Sequence, residues 1–317
     1  MGKALSERRI SVSEVIALLT ADIHLSHMPP VARSAEPDWY ETMGRYLTEV
    51  DVMSRVEFRK GTKQLPVICA GDIFDRWNAG PELINFAIDY LPKMYAVAGQ
   101  HDLPHHNLDD LHRSAYWTLV EAGTITNLES GRAYAVNDMV LYGFPWGVEL
   151  GGLIRGDGNQ LLIAVTHAYI YDQGHRYPGA SKTSHLGNFV NRLRGFDVAV
   201  FGDNHSSFLA TAGNCNVINC GCLFRRKQDE RSYKPSVGLL YDDGSIKQRF
   251  LDTSQDKWID ELPVTVEGES DLTEFLAELK SADSEALDFR DAVLRHLKDH
   301  DVTDGVKAEL LEALEKH

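Results

Sequence analysis

Apolar residues fill Val15–Thr20 and give way abruptly to Ala21-Asp22-Ile23-His24. The same switch recurs along the chain. Residues 65–70 end at Gly71-Asp72-Ile73-Phe74-Asp75, and residues 94–98 run into Gly99-Gln100-His101-Asp102. Leu161–Thr166 ends at His167, and Val198–Phe201 ends at Gly202-Asp203-Asn204-His205. Short apolar runs bounded by turn residues predict buried strands. Between the first three runs the period lengthens: residues 39–59 carry Met43, Leu47, Val50 and Met53 at helical spacing. Pro81–Tyr90 opens on a proline suited to a first helical turn. Three strand–loop–helix units thus deliver polar residues where a strand stops, which is where open α/β folds place ligands.

The second half reads as shorter strands, over 124–127, 132–136, Met139–Phe144, 208–211 and 216–219. A pair at 237–241 and 246–251 is joined by Asp242-Asp243-Gly244, a hairpin signal. Helices over 107–121 and 185–194 are expected to cover the sheet faces. Two α/β layers around paired sheets follow from this order. After Leu251 the texture changes again, to short amphipathic helices over 271–280, 284–300 and 305–316, with Pro263 or Gly268 near their start. The expected division is a main domain over 1–251 and a mainly helical extension over 252–317.

A chain of 317 residues with 43% hydrophobic content can bury a substantial core. The segment before Val15 lacks the uninterrupted apolar stretch of a signal peptide, and no run is long enough to cross a bilayer. Four cysteines fit a reducing compartment better than a disulfide scaffold, so a cytoplasmic location is expected. Cys215, Cys220 and Cys222 lack the paired spacing of a zinc hook and read as buried thiols. The net charge of −15 is unevenly spread: residues 252–317 hold 19 acidic and 7 basic residues, a net of −12. The main domain is close to neutral, so its charge does not exclude a nucleic-acid substrate.

The polar residues at the five strand ends are Asp22 and His24, Asp72, Gln100 and His101, His167, and Asp203 and His205. On an extended segment, Asp-x-His would place both side chains on one face. Carboxylates mixed with imidazoles suit Mn, Fe and similar divalent ions. A bridging carboxylate can hold two such ions roughly 3.5–4 Å apart. Each residue alone could be a cap, a turn aspartate or a packed histidine; five such clusters at five strand ends suggest a shared centre.

These motifs resemble the calcineurin-like metallophosphoesterases, and within them the branch of SbcD-type repair nucleases. The resemblance spans residues 15–251 and rests on Asp22-Ile23-His24, Gly71-Asp72-Ile73-Phe74-Asp75, Gly99-Gln100-His101-Asp102, His167 and Gly202-Asp203-Asn204-His205. It implies a four-layer sandwich of two mixed β-sheets flanked by helices. It also implies one ion held by Asp22, His24, Asp72 and His205, and another held by Asp72, Gln100, His167 and Asp203, with Asp72 as the bridge. His101 would face the substrate phosphate, Asp102 would orient His101, and Asp75 would make an outer contact. A metal-bridged hydroxide would be the in-line nucleophile. Two positions depart from the family pattern: Gln100 stands where asparagine is usual, and Asp203 where histidine is usual. Both keep a ligand atom, and the extra carboxylate favours Mn, with Mg and Fe as alternatives. Loss of the second ion is the competing reading.

The segment Gln100-His101-Asp102-Leu103-Pro104 resembles the nuclease form of its motif. A basic cluster of Arg225, Arg226, Lys227, Arg231 and Lys234 points the same way. Tyr169, Tyr171, His175, Arg176 and Tyr177 offer charge and stacking surfaces. The expected activity is therefore a metal-dependent exo- or endonuclease of DNA repair or recombination. The rivals are a phosphodiesterase or phosphatase of small molecules, and a partner-binding scaffold with an altered site. Family habit adds a homodimer, and an ATPase or other protein partner through residues 252–317.

Overall fold

Alternation along the strands sorts their side chains into separate apolar layers. In the computed structural model, Leu18 joins a cluster with Met43, Leu47 and Phe86, while Ala17 and Leu19 join one with Ile163, Val165 and Val200. The structure describes residues 13–58, 61–156, 158–174, 176 and 180–260.

In chain order the strands and α-helices begin with β1 (Val15–Thr20), α1 (Trp39–Ser54), β2 (Arg55–Phe58), β3 (Gly61–Gln64) and β4 (Val67–Cys69). Next come α2 (Pro81–Tyr90), β5 (Met94–Ala96), α3 (Ala115–Glu121) and β6 (Ile125–Asn127). Then follow β7 (Ala133–Val136), β8 (Met139–Phe144), β9 (Leu161–Thr166) and β10 (Val198–Phe201). The last are β11 (Phe208–Ala212), β12 (Cys215–Asn219), β13 (Ser236–Tyr241) and β14 (Ile246–Phe250). One six-stranded sheet has the order β14-β13-β1-β4-β5-β6, the other β11-β12-β10-β9-β8-β7. Both are mixed: β1, β4, β5 and β6 run parallel while β13 opposes β1, and β8, β9, β10 and β12 run parallel while β7 and β11 oppose their neighbours. Two mixed sheets flanked by helices form the α/β sandwich expected.

The parallel centre of each sheet is buried on both faces. In β10, Val198 and Val200 face the space between the sheets and Ala199 and Phe201 face outward, all of them buried. Such strands read as continuous apolar runs because neither face meets water. On the outer face of the first sheet, α1 is capped by the Asp38 side chain accepting from Glu41 N at 3.0 Å.

Three expected helices differ. The helix over 39–59 stops at Ser54, where the chain enters the antiparallel ribbon β2–β3; Arg55-Val56-Glu57-Phe58 alternates with period two, and pairing supersedes the helical count. The helix over 107–121 is a 3-10 segment, Leu108–Arg113, followed by α3, because the Ser114 side chain accepts from Trp117 N and starts a new helix. The helix over 185–194 contains only the 3-10 segment Leu186–Phe189 and turns; Phe189 and Leu193 still pack on the outer face of the second sheet.

Residues 252–260 run on from β14 and are tied to α1 through Asp256, which takes hydrogen bonds from Arg45 and Tyr46. The helices expected over 271–280, 284–300 and 305–316 lie outside the described residues, as do His175 and Tyr177. Among the described residues no helix is long and apolar enough to cross a membrane. All four cysteines are buried and free of disulfides.

Candidate metal centre

The parallel strands β1 and β4 end side by side, and their loops stay paired beyond the strand ends. Asp22 N donates to Gly71 O, His24 N to Asp72 O and Leu25 N to Ile73 O, at 2.9–3.0 Å. Asp22, His24, Asp72 and Asp203 all adopt left-handed backbone, with φ of 48°, 51°, 54° and 76°. The extended Asp-x-His geometry expected from strand alternation is therefore not what aligns these residues. The strands have already ended, and sharp left-handed bends turn the side chains inward. Non-glycine residues hold such angles at a cost of order 1 kcal/mol or more, and persist there only when neighbours over-determine them.

Those neighbours are specific. Asp22 accepts from Asp203 N through both carboxylate oxygens, at 3.0 and 3.1 Å. Asp72 Oδ1 accepts from His101 N at 3.0 Å. Asp102, fully buried, accepts from Gly99 N at 3.0 Å, Ile73 N at 3.1 Å and Phe74 N at 3.2 Å. The Asp102 carboxylate thus bonds loop backbone rather than the His101 ring, and fastens the Asp72 loop to the His101 loop. The His101 ring instead donates from Nδ1 to the Asp75 carbonyl at 2.9 Å. Two glycines make this closeness achievable. A Cβ on Gly99 would lie 2.0 Å from Asp72 Oδ1, and one on Gly71 (φ +95°) would lie 2.4 Å from His167 Nδ1.

Asp22, His24, Asp72, His167 and His205 lie close together, while Asp203 falls outside both of their close groups and is held by Gln100. His24 Nε2 and His205 Nε2 are 3.2 Å apart. Asp72 Oδ2 lies 3.7 Å from His24 Nε2 and 3.4 Å from His167 Nε2. Asp22, His24 and His205 form one group whose ligand atoms all lie within 4.8 Å of one another, and Asp22, Asp72 and His167 form another. Asp22 belongs to both, while Asp72 reaches His24 as well as His167, so two carboxylates stand between the groups. Gln100 Nε2 donates to Asp203 Oδ1 at 3.0 Å. The two departures from the family pattern are thus a matched pair: the longer amide at 100 donates to the carboxylate at 203.

The electrostatics match a cation site. Burial raises the pKa of Asp22, and the nearby Asp72 and Asp203 carboxylates add to the rise. Burial likewise raises Asp203. His24 is driven well below its usual range, by burial first and then by the Arg226 charge. His205 falls to about 4 for the same reasons. Both imidazoles are therefore neutral, as metal ligation requires. His167 Nδ1 is 2.6 Å from the Ala70 carbonyl, which can only accept, so Nδ1 carries a proton and Nε2 is the atom left for a ligand bond. Burial opposes charge on both Asp72 and His167, yet their proximity holds Asp72 below its usual value and His167 well above it. Metal entry there would release the His167 Nε2 proton.

Asp72 Oδ2, His167 Nε2 and Gln100 Oε1 are among six buried side-chain atoms that have no hydrogen-bond partner among the described residues. Orphaned buried polar atoms are rare and demand an explanation; here all three are donor atoms to metals. The residues present fit two divalent ions.

The sequence model described as calcineurin-like phosphoesterase matches residues 17–207. The chain belongs to the calcineurin-like phosphoesterase family. Among curated proteins no sequence matches it. Among solved structures it is similar to the protein TT1561 of Thermus thermophilus, at 11% identity over 75% of this chain and 99% of that chain, with a TM-score of 0.43. It is also similar to phosphopantetheinyl hydrolase from Mycobacterium tuberculosis, at 12% identity over 75% and 96% of the two chains, with a TM-score of 0.41. A third is the calcineurin-like phosphoesterase YfkN from Bacillus subtilis, at 14% identity over 75% and 89%, with a TM-score of 0.36.

Other residues around the site escaped the reading of the chain. Arg226 Nη2 pairs with Asp75 Oδ1 at 2.5 Å, and Asp75 Oδ1 lies 3.7 Å from His24 Nδ1. Glu230 accepts from Arg226 N and Lys227 N, and its carboxylate comes within 4.8 Å of His205 and the Cys222 thiol. Asn219 braces the Asp203 loop by donating to Asn204 O and Ser206 O at 2.6 and 2.9 Å. Only Arg226 carried a signal, as part of the basic cluster. Within that cluster Arg225 is buried on Asp256, Arg226 is on Asp75, and Arg231 donates to the Ile259 carbonyl and lies over Trp258, while Lys227 and Lys234 are exposed. Tyr171 is buried against His185, with Arg176 over its ring.

Proposed function

We propose that this protein hydrolyses phosphate esters of small-molecule size, with two divalent ions held by Asp22, His24, Asp72, Gln100, His167, Asp203 and His205. The observation that carries the chemistry is the group of buried, unpartnered ligand atoms on Asp72, His167 and Gln100. Two such ions activate a water and offset charge on phosphoryl oxygens. The carboxylate at 203 favours a hard ion, Mn ahead of Mg or Fe. His101 donates from Nδ1 to Asp75 O, which leaves Nε2 to serve a phosphoryl or leaving-group oxygen. Asp72 holds the His101 backbone, and Asp102 joins the two loops, so His101 and the metal ligands are positioned as one unit.

Substrate size follows from the basic cluster. Binding a nucleic-acid backbone takes several free cations. Arg225, Arg226 and Arg231 are committed to internal partners, which leaves two exposed cations of the five, Lys227 and Lys234, and supports a small ester over a polymer. The SbcD-type nuclease is the second reading, favoured by the Gln100-His101-Asp102-Leu103-Pro104 segment.

The test compares para-nitrophenyl phosphate, bis(para-nitrophenyl) phosphate and end-labelled single- and double-stranded DNA, with Mn, with Mg and with chelator. Turnover of at least one aryl ester is expected, abolished by chelator and reduced at least about a hundredfold in His101→Ala. DNA cleavage faster than ester turnover, and lost in the same variant, would replace this reading with the nuclease.

A further inference from the structure

Beyond the metal ligands, the rim of the site carries rings that the phosphoryl chemistry does not use. Immediately after Asp102, the chain turns through His105 and His106, two consecutive non-glycine residues with φ of 52° and 56°. Neither is β-branched, but consecutive left-handed residues are costly and cluster at ligand sites. The bends leave His105 exposed and His106 half-buried, each against a tryptophan. The Trp77 and His105 ring centroids are 5.7 Å apart, and those of His106 and Trp146 are 5.6 Å apart. Both tryptophans are only half-buried.

Each of these rings is anchored to a site loop. Trp146 N donates to Ala98 O at 3.0 Å, two residues before Gln100. His106 N donates to Leu103 O at 3.2 Å, two residues after His101. Trp77 follows Asp75, whose carbonyl holds the His101 ring. Burial, and then the charge of His101, lower the His106 pKa.

Half-buried tryptophans next to a charged centre offer flat apolar faces, and stacking on such faces is tolerant of the ring's identity. We propose that Trp77, His105, His106 and Trp146 form a subsite for an aromatic group of the substrate, a nucleobase or aryl ring joined to the phosphate at His101. This rests on the phosphoesterase reading and narrows it to aromatic esters.

The test uses the metal-loaded protein with phenyl phosphate and glycerol phosphate. The readout is the ratio of their kcat/KM values in the wild type and in His106→Ala, Trp146→Ala and Trp146→Phe. The ratio is expected to favour phenyl phosphate and to fall about tenfold in the alanine variants, a change typical of losing one stacking partner. Trp146→Phe keeps a ring and retains most of the preference, which separates stacking from a folding defect. An unchanged ratio in both alanine variants overturns the subsite. If neither ester is turned over, quenching of tryptophan emission decides the subsite by itself, and the phosphoesterase reading rests on the aryl diester. Saturation at lower concentrations of phenyl phosphate than of glycerol phosphate then supports it, and equal quenching overturns it.

Discussion

The Asp72 centre and the Asp256 network are both buried and both built on carboxylates, but they satisfy their charges differently. Around Asp256 every demand is met within the chain. Its oxygens lie 2.7 Å from Arg225 Nη2, 2.7 Å from the Tyr46 hydroxyl, 2.9 Å from Arg45 Nη2 and 3.0 Å from Arg33 Nη2. Arg33, fully buried, also donates to the Lys257 and Arg225 carbonyls and lies over Trp39 and Trp258. Around Asp72, carboxylates crowd one another, and Asp72 Oδ2 has no hydrogen-bond partner among the described residues. A buried charge network that is complete acts as a structural fastener. One whose carboxylates outnumber their positive partners can be completed by a cation.

The largest expected effect breaks the incomplete cluster. Asp72→Ala should lower metal affinity by more than about a hundredfold, beyond what outer contacts to a metal usually contribute. Mn should raise the midpoint of thermal unfolding in the wild type, because it binds only the folded chain, and should leave the variant's midpoint unmoved. An equal shift in both proteins would place the ions elsewhere.

Breaking the complete cluster should have the opposite signature. Asp256→Ala strands three arginines and should destabilise the fold by about 3–5 kcal/mol with or without metal. Chemical denaturation checks this. Burial pushes the Asp256 carboxyl upward, but the Tyr46 hydroxyl and the Arg33, Arg225 and Arg45 charges overcome it and hold its pKa below the usual value. A depressed folded-state pKa gives stability that is present above the unfolded carboxylate value and is lost as pH falls through the folded one. Between about pH 5 and pH 2 the wild type should therefore lose more stability than Asp256→Ala, and the two curves should approach each other. The smallest change is Tyr46→Phe, which removes one hydrogen bond to Asp256 and should cost about 1.5 kcal/mol. No loss there would mean that the arginines alone satisfy the carboxylate.

Much of this fold was legible in the chain because burial imposes a period. The strand cores 15–20, 161–166 and 198–201 are apolar without interruption since both their faces are covered, and the polar residues that follow mark where cover ends. The clustered polar residues Asp22, His24, Asp72, His167 and His205 were readable for that reason, as was their assembly at one end of two sheets. Their conformation was not. Left-handed bends at Asp22, His24, Asp72 and Asp203 are set by hydrogen bonds between loops far apart in sequence, and no local pattern encodes them.

Long-range partners decided the rest. Asp102 looked like a companion to His101, but the amides of Ile73 and Phe74 lie within its reach and claim its carboxylate. Gln100 and Asp203 looked like separate departures until folding joined them in one hydrogen bond. Arg225, Arg226 and Arg231 looked like a basic surface, but Asp256, Asp75 and the 259 carbonyl engage their guanidinium groups and make them structural contacts. Sequence by itself determined which side chains end the strands, because hydrophobic burial acts locally along each strand. Tertiary structure alone decided which charges are paired and which are left for a metal, because electrostatic partners are chosen by distance in space.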